Sequence, residues 1–275
     1  MSDQNHNKLN HLLESLSDTT LVSSRWLRAD GYPGNLVARY MAGSWLQSPA
    51  RGVYLRKGGR LTWEGLLRSL QLLEQIPVYV GGRFALARQG HEHYLRLGEP
   101  ATVTLYSPAK LPAWALKLPL REHIKHCGKS PFDWPLLNFG ADQPDAALAA
   151  QGLERAAPDT AAAGVVFALP ERAILELCDE APDKALVHEL DALLQGLATL
   201  RPQLLSTLLL RCRSIKAKRL FLALAERQGH AWFAHLDLNG VNLGHGKRAL
   251  IKDGKLNAKY QITLPADLDE QLGQP

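Results

Sequence analysis

Asn35 and Arg39 stand four residues apart in the stretch GNLVARYMA (34–42), a pairing of types that a helix uses to read base edges. Asparagine pairs bidentately with adenine and arginine with guanine. Helical spacing puts both on one face with Ala38 and leaves Val37, Tyr40 and Met41 for the other. Arg25 and Arg28 precede this segment, and Arg51, Arg56, Lys57 and Arg60 follow it. Cations so placed around a reading helix suit the phosphates of a duplex.

A second cationic group lies far downstream. Arg211, Arg213, Lys216, Lys218 and Arg219 are five cations within nine residues and include no acid, and Lys247 and Arg248 follow. Charges this dense repel, so the segment wants an anion, either nucleic acid or an acidic protein surface. A solvated helix junction is the plain alternative.

Other chemistries fail on residue type or spacing. His123, His126 and Cys127 (HIKHC) offer three zinc-ligand types, yet no second Cys/His cluster supplies the fourth. His91 and His93 lack HExxH spacing. Gly246-Lys247 runs into Arg248, and Val241 stands where a phosphate loop needs its first glycine. There is no GxSxG elbow. The expectation is a protein that is not an enzyme and needs no metal or cofactor.

Composition agrees with a folded chain. It has 275 residues, 46% apolar and 21% charged, which excludes a disordered or collagen-like polymer and predicts about two domains. No apolar run approaches the ~18 residues of a membrane span, and the polar first ten residues do not read as a secretory signal. Cys127, Cys178 and Cys212 are dispersed and form no CxxC pair, as expected of reduced thiols in a cytoplasm. The net charge of +5 is unevenly spread. Residues 1–130 hold 17 Lys/Arg against 9 Asp/Glu, residues 131–200 hold 3 against 12, and residues 201–275 hold 12 against 6. Basic zones thus flank an acidic middle.

The elements follow from periodicity. Leu9, Leu12, Leu13 and Leu16 predict a helix over 7–16. Ser23 can cap a helix ending at Asp30-Gly31, and Pro33 suits the start of the next, over 34–42. Two short helices across a glycine turn form a helix-turn-helix. Trp45–Leu46 and Val53–Leu55 are strand-formers around the turn Pro49–Gly52, so a wing follows. The basic link RKGGR (56–60) closes a winged helix-turn-helix domain over 1–60, although winged helices also serve as protein–protein modules.

Residues 61–275 read as a mixed α/β domain rich in helices. The pattern predicts helices over 62–75 and 83–89 with strands at 78–80 and 101–106. Residues 141–170 contain 11 alanines in 30 and three prolines, and read as a mobile, weakly structured segment ending in a strand at 165–167. Helices follow over 171–180, 184–198, 202–212 and 215–228, then strands at 248–251 and 260–264 with turns at Asn239-Gly240 and Asp253-Gly254.

The whole arrangement resembles the AbiEi family of antitoxins from type IV, abortive-infection toxin–antitoxin systems. The resemblance rests on GVYLRKG (52–58), LLEQIPVYVGGRFALARQGHEHYLRLGE (72–99) and VTLYSP (103–108). It continues in LPERAILELCDEAP (169–182), GLATLRPQLLSTLLLRCRSIKAKRLFLALAERQGHAWF (196–233) and LNGVNLGHGKRALIKDGKLNAKYQITLP (238–265). The alanine-rich stretch 141–163 departs from it as a local insertion. The resemblance implies an N-terminal block extending to about residue 98 that binds the inverted-repeat operator of its own operon. It implies a C-terminal antitoxin domain that counters an AbiEii-like nucleotidyltransferase toxin, without requiring a stable complex. The residues at 211–219 and 247–248 become candidates for the antitoxin surface or for extra DNA contact. The alternative is a one-component regulator whose C-terminal domain senses a ligand or mediates oligomerisation.

Overall fold

Leu9, Leu12 and Leu16 recur at helical spacing, and all three side chains are buried. They build the first core from helix α1 (Ser2–Ser15) and its exit turn. The computed structural model describes residues 2–90, 100–134, 145–156, 164–181, 183–252 and 254–268. Strand β1 (Val22–Ser23) leads into helix α2 (Ser24–Ala29), whose first turn is capped by the Ser23 hydroxyl accepting from the Trp26 N–H. Helix α3 (Gly34–Ala42) buries Leu36, Val37 and Tyr40 against the α1 leucines. Pro33 caps it from outside, one residue earlier than a first-turn proline would sit.

Strands β2 (Leu46–Ala50) and β3 (Val53–Arg56) make the wing, and β1 completes a sheet of order β1-β3-β2. Pro49 cannot donate to a ladder, and the β2–β3 register shifts between Gln47 and Ala50 to accommodate it. The turn closes at Gly52, whose φ of +79° suits a residue without a Cβ. Together these elements form the expected winged helix-turn-helix.

Helix α4 (Trp63–Leu72) packs against the wing rather than away from it. The Leu21 N–H donates to Ser69 Oγ at 2.8 Å, and a Cβ on Gly65 would lie 2.2 Å from the Thr19 carbonyl oxygen. The chain then enters a second sheet through β4 (Tyr79–Val80), helix α5 (Gly82–Arg88), β5 (Thr102–Tyr106) and β6 (His123–Cys127). Helix α6 (Asp145–Ala149), β7 (Leu153–Arg155) and β8 (Val166–Ala168) complete it, in the order β6-β5-β4-β8-β7.

Alternation along these strands separates two cores. Val80, Val103, Leu105 and Phe167 join Val53, Leu55 and the α4 leucines on one face. Tyr79, Tyr106, Val166 and Ala168 face the other way, into a layer of helices α7 (Pro170–Glu180), α8 (Lys184–Gly196), α9 (Pro202–Arg211) and α10 (Ile215–Gln228). Pro170 and Pro202 each open a helix, and Gly229 ends α10 at φ +66°. The C-terminal part is thus the expected mixed, helix-rich α/β unit.

HIKHC, to which the sequence assigned no element, forms strand β6, parallel to β5. Two local expectations are corrected. Within the alanine-rich segment, α6 and β7 are regular elements, since Leu148 and Leu153 are both fully buried; residues 135–144 and 157–163 lie outside the described ones. The strand expected at 248–251 reduces to one bridge between Arg248 and Ile262, and the C-terminal hairpin pairs β9 (Lys255–Asn257) with β10 (Ile262–Leu264). The turn expected at 253–254 falls partly outside the described residues, at position 253.

Candidate nucleic-acid interface

Burial of Leu36, Val37 and Tyr40 fixes which side of α3 meets solvent. Asn35, Ala38, Arg39 and Ala42 form one exposed stripe along it. The Asn35 side-chain oxygen Oδ1 accepts the Leu36 N–H at 2.9 Å, which leaves its amide NH2 to serve as a donor elsewhere. Two alanines beside Arg39 keep this face low, so the helix axis can come close to whatever it docks against. Alanine methyls also suit the thymine methyl in a major groove.

The wing is tied to the helix-turn-helix at both ends. The Ser24 N–H donates to the Gly52 carbonyl at 2.8 Å, which ties the wing tip to α2. The Lys57 N–H donates to the Trp45 carbonyl at 2.9 Å, which ties the hairpin base to the exit of α3. Residues 24–60 contain seven Lys/Arg and a single acid, Asp30.

Those seven cations are not equivalent. Arg28, Arg39, Arg51, Lys57 and Arg60 are exposed and form no ion pair among the described residues. Arg25 is exposed but binds the buried Glu74 carboxylate of α4, and Arg56 is paired with Asp18 at 3.0 Å. Arg25 and Arg56 therefore already have anionic partners within the chain. Trp45 was legible in the sequence only as a strand-former, yet it stays 49% exposed just beyond the stripe.

The second cationic group does not form one surface. Arg211 is exposed and touches the Ala150 carbonyl. Arg213 is exposed and paired with Asp133 at 2.8 Å, while Lys216 is half-buried and bonds the Ala181 carbonyl. Lys218 and Arg219 are buried, because their positions on α10 face the helical core. Burial pushes the Lys218 ammonium below the usual lysine range, with the nearby Cys212 pulling the other way. Arg219 donates from Nε to the Leu243 carbonyl at 2.6 Å and from Nη1 to those of Gly246 and Gln261 at 2.6 and 3.0 Å. It holds irregular C-terminal chain onto α10. Lys247 and Arg248 are exposed on that chain.

Strand alternation also separates the HIKHC side chains. His126 Nε2 lies 3.2 Å from the Ser107 carbonyl oxygen, and Cys127 Sγ donates to the Lys129 carbonyl. Among the described residues no group of three or more His, Cys, Asp or Glu is placed to hold a metal ion. Burial raises the Cys178 and Cys212 thiols, the latter to about 11, so both are inert apolar fillers at neutral pH.

Beneath the helical layer lies an ionic group that sequence reading missed. Arg172 Nε donates to Glu176 Oε1 at 2.9 Å, and both side chains are buried. The Tyr79 hydroxyl donates to the same oxygen at 2.7 Å, while the Gly82 N–H donates to Oε2 at 3.1 Å. Arg172 also bonds the Gln151 carbonyl and lies over the Phe132 ring. Burial raises the Tyr79 hydroxyl far above the usual tyrosine range, and the Glu176 charge adds to that. Every strong partner is internal, so the group fastens β4 and α5 to α7. The one available signal was the i, i+4 spacing in PERAILELC (170–178).

Comparison with known proteins gives two family matches. Residues 5–97 match the family described as transcriptional regulator, AbiEi antitoxin N-terminal domain. Residues 100–265 match that described as transcriptional regulator, AbiEi antitoxin, type IV TA system. No curated protein matches the chain. The crystal structure of the RV2827C protein from Mycobacterium tuberculosis is similar with a TM-score of 0.52 and 18% identity, over 97% of this chain and 93% of that one. At that identity the similarity is one of fold. Among the described residues no helix is long and apolar enough to cross a membrane.

Proposed function

Two family matches spanning nearly the whole chain make it a member of the AbiEi antitoxins, transcriptional regulators of type IV toxin–antitoxin systems, and from that premise we propose that it represses its own operon by binding inverted-repeat DNA through α3 and the wing. The observation that carries this is the exposed stripe Asn35–Ala38–Arg39–Ala42 among seven cations and one acid. Arg39 and Asn35 read base edges; Arg28, Arg51, Lys57 and Arg60 hold phosphates. Two copies occupy half-sites about one helical turn apart or a multiple of it.

The C-terminal unit, residues 100–265, counters a nucleotidyltransferase-like toxin. Of the seven candidate cations there, Arg211, Lys247 and Arg248 are exposed and form no ion pair among the described residues, while Arg213 is exposed but paired with Asp133. Lys218 and Arg219 belong to the interior.

Gel shift on the duplex upstream of the operon, against a scrambled duplex, tests the first half. Equal affinity for the two duplexes would sink it. Co-expressing the full chain with the neighbouring toxin tests the second half. Arg39→Ala with Lys57→Ala should abolish repression and still rescue growth. If wild type gives no rescue while repression persists, the protein is a regulator alone.

A further inference from the structure

Trp45 is the one aromatic among the large apolar side chains left exposed in the described residues. Its two preceding neighbours place it there. A Cβ on Gly43 would lie 2.9 Å from Trp45 Cδ1 and 3.0 Å from its Nε1, so the indole rests directly on the Gly43 backbone. Ser44 takes a left-handed φ of 56°, with its N–H on the Met41 carbonyl and the Trp45 N–H on the Tyr40 carbonyl, a common way for a helix to stop. The helix stop thus leaves the ring lying on the Gly43 backbone and out of the core.

The ring lies past Ala42, at the end of the exposed α3 stripe, and the Trp45 carbonyl accepts the N–H of exposed Lys57. An aromatic face among cations suits nucleic acid, whose bases and sugars offer flat apolar surface between phosphates. A second copy of this chain suits it poorly, because the segment 24–60, with seven cations and one acid, would face its like.

We propose that the Trp45 indole is a further DNA-contacting residue, packing on the sugar and base edge where the duplex passes the C-terminal end of α3. This rests on the operator-binding reading and extends its contact beyond Asn35 and Arg39. The contact is uncharged, so it adds affinity without releasing counterions.

The test uses the full chain and a fluorescein-labelled duplex carrying the sequence upstream of its operon, titrated at several salt concentrations. Trp45→Ala should weaken binding about tenfold, the scale of one aromatic contact to nucleic acid, and leave the salt slope unchanged. Trp45→Phe should recover part of the loss. Gly43→Ala keeps the tryptophan but displaces its ring, so it should also weaken binding while thermal stability holds. Affinity unchanged in both Trp45→Ala and Gly43→Ala overturns the inference while wild-type binding preserves the operator reading. A change in sedimentation of free Trp45→Ala, with its loss confined to cooperativity between half-sites, makes the ring a contact between copies and also overturns it. Wild type binding this duplex no better than a scrambled one overturns both.

Discussion

Arg201 grips Glu171 with its whole fork: Nε and Nη2 donate to separate carboxylate oxygens at 2.9 Å, and the Arg201 backbone N–H adds a third bond at 3.0 Å. Glu171 is buried at the first turn of α7, where a negative charge also suits the helix dipole. Burial alone would raise this carboxyl, but the bonds from Arg201 outweigh it and hold Glu171 below the usual glutamate range. A depressed folded pKa gives stability that is complete above the unfolded value, about 4.3, and is lost as pH falls through the folded one. Wild type minus Glu171→Gln should therefore show a stability difference that is constant at neutral pH and shrinks below about pH 4.3. A difference independent of pH, measured by denaturant unfolding, would remove the charge from this account.

Arg172 and Glu176 predict a different signature, because both are sealed from water. Replacing one alone strands the other, at a cost of about 3–5 kcal/mol. Arg172→Met and Glu176→Leu should each be strongly destabilising, and the double variant should cost much less than their sum. Additive losses in the double-mutant cycle would mean the pair is not coupled.

Gly65→Ala sets helix propensity against packing. Alanine favours a helix interior over glycine by about 1 kcal/mol. Here the new Cβ would lie 2.2 Å from the Thr19 carbonyl oxygen, a backbone atom that cannot rotate away. The packing term wins, and a net loss of about 1–3 kcal/mol is expected by thermal unfolding. A more stable variant would show that α4 does not press on the turn before β1.

On DNA, Arg39→Ala should cost about 1–3 kcal/mol and relax preference at one base pair. Lys57→Ala and Arg60→Ala should weaken all sequences alike and lower the salt slope by about 1 each. Uniform loss from Arg39→Ala would reassign it to a phosphate.

Arg219→Lys keeps the charge but cannot reach three separate carbonyls from one ammonium. Hydrogen exchange around residues 243–261 should quicken more than in α10 itself. If the two regions respond equally, Arg219 is not what fastens that chain.

Periodicity and caps made the winged helix and α7–α10 legible, because each buries a leucine stripe with a marked start, as at Ser23, Pro170 and Pro202. The central sheet was harder to read. Its strands are two to five residues long, and β6 carries three polar residues on an edge position, so no strand was legible in HIKHC. That Asn35, Ala38 and Arg39 share an exposed face of α3 was legible from types and spacing alone. The difference between exposed Lys57 and buried Arg219 was not, since both sit in basic runs and only long-range packing separates them.

The short strand β4 has one more consequence. It belongs to the N-terminal family match at 5–97, yet it lies between β5 and β8, which belong to the C-terminal match at 100–265. The two blocks that look modular in sequence are thus interleaved in space. A chimera that exchanges the N-terminal block between relatives would transplant the middle strand of its host's sheet. To stay folded, the graft must bring a side chain that fills the place of Tyr79 and a glycine at position 81, where a Cβ would run into the Glu176 carboxylate. Exchange of operator specificity between relatives should therefore proceed through surface changes on α3 and the wing rather than through shuffling of whole domains.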